Sequence, residues 1–186
     1  RLSPMHKVLT ALGILSAEIA QAAEMTITVA GQANGEIVID LLEEVAPLHV
    51  ERISRLANDG AYDNVVFHRV IDGFMAQTGD VEFGNAEKDL SKAGYGGSSL
   101  PDLPAEFSDI PYDRAIVGMA RSQSIDSANS QFFLMFEAGY FLNGQYTVVG
   151  RVVSGMEIVD AIKRGRGSNG AVTSAPDVMT TVSVTP

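Results

Sequence analysis

The chain has no cysteine and no tryptophan, only three histidines, and 13 basic residues against 23 acidic ones. Without cysteine there is no disulfide framework, no thiol nucleophile, no iron–sulfur cluster and no thiolate zinc site. The absence leaves the compartment open, since it suits a reducing and an oxidising environment equally. The histidines, His6, His49 and His68, lack metal-ligand spacing, so no metal is expected. A net charge of −10 argues against nucleic acid as the partner, because phosphate binding needs clustered Lys and Arg. Lys163-Arg164 with Arg166 is the one basic cluster, and it reads as a helix C-terminus. No apolar run approaches the roughly 20 residues that span a bilayer, so no membrane span is expected.

What is present is an ordinary globular composition, 46% hydrophobic over 186 residues, enough for one domain with a real core. At the N-terminal end, Met5-His6-Lys7 precedes an apolar run from Val8 to Ala17, and Ala20-Gln21-Ala22 follows. That order matches a basic n-region, a short h-region and a small-x-small cleavage site. Residues 1–23 are therefore read as a candidate signal peptide or N-terminal extension, and 24–186 as the domain. A periplasmic location follows if the segment is cleaved; the alternative is cytoplasmic.

From Met25 the chain reads as short strands with turn punctuation: Met25–Ala30, Glu36–Leu42, Val65–Val70, Phe74–Thr78, Ala115–Ala120, Gln131–Phe136, Tyr146–Val153 and Val178–Val184. An Asn-Gly pair, Asn34-Gly35, separates the first two as a hairpin signal. Pro47 opens a helix with Val50, Ile53, Leu56 and Ala57 at helical spacing, closed by Asn58-Asp59-Gly60. Ser154 and Glu157 form a capping box for a second helix, with Met156, Ile158, Val159 and Ile162 on its buried face. Eight antiparallel strands with two isolated helices predict a mainly β fold, a closed eight-stranded antiparallel barrel capped by two α-helices. The segment Val81–Asp113 shows no periodicity and carries Pro101, Pro104 and Pro111; a connection of that length is read as functional.

Three motifs carry the chemistry. The first is Phe67-His68-Arg69-Val70-Ile71-Asp72-Gly73-Phe74-Met75-Ala76-Gln77-Thr78-Gly79-Asp80. The second is Gly118-Met119-Ala120-Arg121-Ser122, continuing to Ser130-Gln131-Phe132-Phe133. The third is Phe141-Leu142-Asn143-Gly144-Gln145-Tyr146, followed by Val148-Val149-Gly150-Arg151-Val152. In order and spacing, over about Met25 to Val184, they resemble the cyclophilin family of peptidyl-prolyl isomerases, its bacterial branch best.

The resemblance implies an isomerase that needs no cofactor and acts on proline-containing peptides and unfolded proteins as a monomer. By matching position, Arg69 and Gln77 are its catalytic pair. Phe74, Met75, Phe133 and Leu142 correspond to the proline pocket. Ala120, Arg121 and Gln131 correspond to the peptide-backbone groove, and Phe141 and Tyr146 to the aromatic rim. Gly94-Tyr95-Gly96-Gly97 matches the glycine loop bordering the pocket that reads residues upstream of the proline. Phe141 stands where cyclosporin-sensitive members carry Trp, so weak cyclosporin binding is implied. The segment Glu82–Ala93 looks like an insertion whose role the sequence does not state.

The residues suit this chemistry on their own terms. An X–Pro amide resists rotation by about 18–20 kcal/mol because resonance gives its C–N bond double-bond character. Lowering that barrier calls for a slot for the ring and a donor for the prolyl nitrogen, with no nucleophile or redox group. His68 alternates away from Arg69 and is expected as a satisfied interior group, and Phe132 alternates away from Phe133 toward the core. Two other readings stay open: a module that grips proline peptides without turnover, and a small barrel carrying an apolar ligand.

Overall fold

The computed structural model describes residues 22–186; most of the candidate signal segment lies outside the described residues. Among the described residues there are nine strands: β1 Glu24–Ala30, β2 Gly35–Leu41, β3 Val65–Val66, β4 Arg69–Ile71, β5 Met75–Thr78, β6 Ile116–Met119, β7 Phe132–Met135, β8 Val148–Ser154 and β9 Val178–Thr185. Two helices, α1 Pro47–Asn58 and α2 Met156–Ala161, accompany them, with 3-10 turns at Tyr140–Leu142 and Ser168–Gly170. All ladders are antiparallel, in the order β3-β9-β1-β2-β8-β6-β7-β5-β4.

Alternation builds the sheet. Met25, Ile27 and Val29 of β1 and Ile37, Ile39 and Leu41 of β2 are buried, with Ile27 opposite Ile37. The turn between them is tied by Asn34, whose side chain accepts from the Gly31 N–H (3.3 Å) and donates to the Gly31 carbonyl (2.7 Å).

The sheet is mainly β with two helices, as expected, but it is not the closed eight-stranded barrel. The run 65–70 breaks at Phe67-His68 into β3, which pairs with β9, and β4, which pairs with β5. Among the described residues no ladder joins β3 to β4, so the sheet curls strongly without closing by hydrogen bonds. Its curl follows from distance. Laid flat, nine strands would span about 38 Å at about 4.8 Å per step. Val66 and Arg69, at opposite ends of the order, are three residues apart and reach at most about 10 Å.

Two helix starts depart from simple capping. Ala46 supplies no side-chain cap to α1. Instead the Glu106 carboxylate, from the long connection, accepts the N–H groups of Leu48 and His49, both at 3.1 Å. The Ser154–Glu157 box of α2 does not form, because β8 continues through Ser154, which pairs with Val38. Gly155 becomes the N-cap at φ +84°, where a Cβ would stand 2.1 Å from the Glu36 carbonyl oxygen.

The apolar interior divides in two. The larger cluster lies inside the curl and includes Phe67, Phe132, Leu134 and Ala76. The smaller joins Met75, Tyr112, Ile116, Phe133, Met135, Leu142 and Val148 on the opposite face. Strands β6 and β7 are buried on both faces, so adjacent residues serve different clusters. Phe132 packs edge-on against Tyr62 at 5.5 Å in the main core, as its alternation predicts, and Phe133 faces the other way.

Candidate active site

The smaller cluster is the floor of a cleft of about 1140 Å³. Arg69, Phe74, Met75, Gln77, Ala120, Arg121, Phe133, Phe141, Leu142 and Tyr146 all line it. Gln131 lines an adjoining chamber of about 370 Å³ with Gly96, Gly97, Ser98 and Asn129. Every candidate site residue named from the motifs thus lines one of these two adjoining spaces.

Strand register makes that convergence. Arg69 is opposite Gln77, Gln77 opposite Phe133, and Phe133 opposite Gly118, while Arg69 bridges Ala171 on its other side. These five residues form one row across the sheet with side chains on one face. At the row's end the rings of Phe133 and Tyr112 stack at 5.8 Å over Gly118. A Cβ on Gly118 would stand 2.5 Å from the Tyr112 hydroxyl and 2.6 Å from the Phe133 ring, so the row needs glycine there.

Side-chain hydrogen bonds extend the row into a chain. Arg69 donates through Nε to the Asn169 carbonyl (3.0 Å), through Nη1 to Gln77 Oε1 (3.0 Å) and through Nη2 to Asn169 Oδ1 (3.1 Å). Gln77 Nε2 donates to Gln131 Oε1 at 2.9 Å. Gln131 Nε2 in turn donates to the carbonyls of Gly94 (3.0 Å) and Gly96 (2.9 Å). The N–H groups of those two glycines donate to Asp80 Oδ2, at 2.7 and 3.0 Å. Asp80 is fully buried, and its Oδ1 accepts from Glu82 and Phe83 N–H at 3.1 and 2.9 Å. A wholly interior carboxylate is therefore paired by four backbone donors.

The guanidinium of Arg69 meets only neutral acceptors, and among the described residues it makes no ion pair. Burial lowers its pKa and the Tyr146 phenol opposes that shift; an arginine keeps its charge all the same. Three of its five N–H donors are used, leaving two. On the opposite wall Tyr146 meets the Phe133 ring edge-on at 6.0 Å, and the Arg121 guanidinium lies 4.4 Å above the Tyr146 ring. Arg121 also donates to the Gln145 carbonyl at 2.8 and 3.1 Å. At the lip, Phe141 is 73% exposed and rests on Phe74 at 5.4 Å.

His68 corrects an expectation. It is 8% exposed and lines the cleft, and its Nδ1 has no hydrogen-bond partner, so it is not a satisfied interior group. Residues 67 and 68 lie in the break between β3 and β4, where strand alternation does not apply. Burial pushes its pKa down to about 4; Asp80 opposes this and Arg69 reinforces it. The folded state thus holds the neutral imidazole, so protonation favours unfolding. No penalty exists above the unfolded value near 6.5, and it grows as pH falls. Acid titration of stability should lose about 3 kcal/mol between pH 7 and pH 4 through His68. His68→Phe should flatten that limb; an unchanged slope in urea midpoints would refute it.

Nothing in the sequence points to a role for Asn169, and Asp80 and Gly118, though both stand in the motifs, have no role legible there. Asn169 sits at φ +56° in a Ser-Asn-Gly turn a hundred residues from the arginine it holds, so only the turn itself was visible. Among the described residues, no three His, Asp or Glu side chains converge as a metal site, and no helix is long and apolar enough to cross a membrane.

The comparisons agree with this geometry. Residues 24–184 match the family described as Cyclophilin type peptidyl-prolyl cis-trans isomerase/CLD. A probable peptidyl-prolyl cis-trans isomerase of Brucella suis is 57% identical over 166 residues, 87% of this chain and 85% of its own. Peptidyl-prolyl cis-trans isomerase B of Escherichia coli is 35% identical over 138 residues, covering 70% and 79%. A cyclophilin type isomerase of Cryptosporidium parvum, solved in the presence of the dipeptide Ala-Pro, superposes with a TM-score of 0.73 at 23% identity over 88% of this chain and 99% of its own. The row through Arg69, the apolar floor beside it and the match along nearly the whole domain lead to one assignment: this chain belongs to the cyclophilin-type peptidyl-prolyl cis-trans isomerases.

Proposed function

We propose that the cleft performs the family's reaction with Arg69 as the group that stabilises the twisted amide. The observation that carries this is the state of its guanidinium: held by Asn169 and Gln77, unneutralised, with N–H donors to spare. As an X–Pro bond twists, its nitrogen pyramidalises and the lone pair localises. A fixed cationic donor stabilises that state more than either planar ground state. Phe74, Met75, Phe133 and Leu142 seat the proline ring, so that the nitrogen rather than the ring faces the arginine. Gln77 and Gln131 act through position: their amides are engaged with each other and hold Arg69 and the Gly94–Gly96 loop.

One hydrogen bond is not the whole effect. Reducing an uncatalysed time of about 100 s to about 1 ms takes roughly 7 kcal/mol. A charged hydrogen bond supplies about 1.5–3 kcal/mol in stability terms. Water exclusion by the apolar floor and clamping of the peptide backbone along Ala120 and Arg121 account for the remainder.

Substrates on this reading are exposed or unfolded X–Pro segments, and cyclosporin binds weakly because Phe141 offers no indole N–H donor. Titrating an Ala-Pro peptide into isotopically labelled protein should perturb the methyl and ring signals of Met75, Phe133 and Leu142 first. Perturbations confined to surfaces away from these three would refute the placement.

A further inference from the structure

The connection Val81–Asp113, without periodicity in the sequence, ends beside a residue that the cleft does not expose. Tyr112 is fully buried and lies behind the lining, in the apolar cluster that floors the cleft. Its ring is nearly parallel to that of Phe133, with 22° between the planes at 5.8 Å, so an aromatic surface backs that side of the proline seat.

Tyr112 also carries the rim. Its N–H donates to Asn143 Oδ1 (2.8 Å), its carbonyl accepts from Gly139 N–H (2.8 Å), and its hydroxyl donates to the Tyr146 carbonyl (2.8 Å). These bonds reach the start, middle and end of the segment 139–146, which brings Phe141, Leu142 and Tyr146 to the cleft. Among the described residues, two other kinds of hydrogen bond tie this segment to the rest of the protein. The Tyr140 hydroxyl donates to Asp113 Oδ1 at 2.7 Å, and Arg121 donates to the Gln145 carbonyl. Both lie exposed, whereas Tyr112 holds the segment from inside. Burial, with the nearby Tyr146 phenol, pushes the Tyr112 phenol pKa up, so its hydroxyl remains a donor.

The backbone is bent to put Tyr112 there. Three residues on, Ala115 adopts φ +75°, a left-handed conformation that alanine avoids. Its N–H donates to the Met135 carbonyl of β7 (3.0 Å), and its carbonyl accepts from the Val152 N–H of β8 (2.9 Å). Arg114, between the two, donates to the Phe136 carbonyl at 2.9 Å and pairs with Asp160 at 2.7 Å. Strain of this kind persists where the neighbours over-determine the backbone. On the other side, Gly118 leaves the space that the Tyr112 hydroxyl fills.

We propose that Tyr112 is a positioning residue for the isomerase reaction: without touching the peptide, it sets Phe133, Leu142 and Tyr146 at the spacing that seats a proline ring. This rests on the proline seat proposed above. The seat grips the ring in the planar and the twisted amide alike. A displaced seat therefore weakens binding and leaves the step at Arg69 largely intact.

Exchange NMR on Ala-Ala-Pro-Ala gives KM and kcat for the natural protein, Tyr112→Phe and Tyr112→Leu. Tyr112→Phe keeps the stacked ring and removes only the bond to Tyr146. It should raise KM about fivefold, equivalent to about 1 kcal/mol, with kcat within about twofold. Tyr112→Leu removes the ring as well and should raise KM about 20-fold. In proton–carbon spectra, the Leu142 methyl and Tyr146 ring signals should shift in both variants, while the methyls of Ile27 and Ile39 in the main core stay in place. Loss of stability alone lowers the folded fraction, and with it the apparent kcat, without moving KM. If the leucine variant does not fold, Tyr112→Phe decides by itself. An unchanged KM in folded Tyr112→Phe, or a loss confined to kcat, overturns the positioning role and leaves the seat standing. If the peptide perturbs none of Phe133, Leu142 and Tyr146 in the natural protein, the seat falls and this role with it.

Discussion

Replacing Arg69 by alanine should lower kcat/KM for an Ala-Pro peptide by about 10²–10³-fold, the range seen when a preorganised donor is removed from a transition state. The loss should fall on kcat, because on the proposed mechanism the donor meets a lone pair that localises only as the amide twists. Peptide affinity should change little, since the seat proposed above, Phe74, Met75, Phe133 and Leu142, stays in place. The fold should also survive. Arg69 is only half-buried, and its partners Asn169 and Gln77 keep access to water at the cleft. Arg69→Lys makes a sharper comparison. It keeps the charge but loses the fork that reaches Gln77 and both Asn169 oxygens at once. It should recover part of the rate and remain about tenfold below the natural protein. An alanine variant within twofold of the natural rate would remove Arg69 from the mechanism.

Replacing Asp80 by alanine should cost about 3–5 kcal/mol of folding stability, a large share of what a domain this size possesses. Four backbone N–H groups converge on its carboxylate from both flanks of the inserted segment. Truncation leaves those donors in a site closed to solvent, where each unsatisfied group is penalised. Asp80→Asn should fall between the two, because one amide NH₂ must then face two donors while the remaining oxygen keeps its pair. The glycines leave no slack: a Cβ on Gly96 would stand 2.5 Å from Asp80 Oδ1, and one on Gly84 2.5 Å from its carbonyl. Activity should fall as well, through Gln131, whose amide is oriented by the Gly94 and Gly96 carbonyls. Urea denaturation gives the stability, and amide exchange at Gly94 and Gly96 reports the loosened segment. A loss under about 1 kcal/mol would overturn the assignment of Asp80 as the anchor.

Why one carboxylate matters so much was not legible in the sequence, and the reasons differ from residue to residue. Alternation identified β1, β2 and the two faces of β7, because burial of every second side chain leaves a direct trace. The motifs located the row through Arg69, Gln77 and Phe133, because those residue types at those spacings are rare together. The break at Phe67-His68 left no trace, since Val65–Val70 is uniformly strand-like and only the exchange of partner, from β9 to β5, divides it. The same exchange turned an expected eight-stranded barrel into a nine-stranded curl and placed His68 in the cleft. The capping box failed for a related reason. Ser154 has the right spacing to Glu157, but its backbone is committed to Val38. Asp80 stands at the end of the first motif with no role legible there, and its four donors come from a segment with no periodicity to interpret. Local pattern shows which residues share a face; it does not show which distant backbone comes to meet them.

The row across the sheet also has a consequence for timing. Its members Arg69 and Ala171 are 102 residues apart, and Asn169, which clamps the arginine, is a hundred residues from it. β1 pairs along its full length with β9, which follows it by about 150 residues. During synthesis the guanidinium is therefore made well before its clamp and stays unheld until the 168–171 turn has emerged and docked. The isomerase site is thus complete only after β1 and β9 have paired, and the X–Pro bonds of its own domain reach their isomers before that site exists.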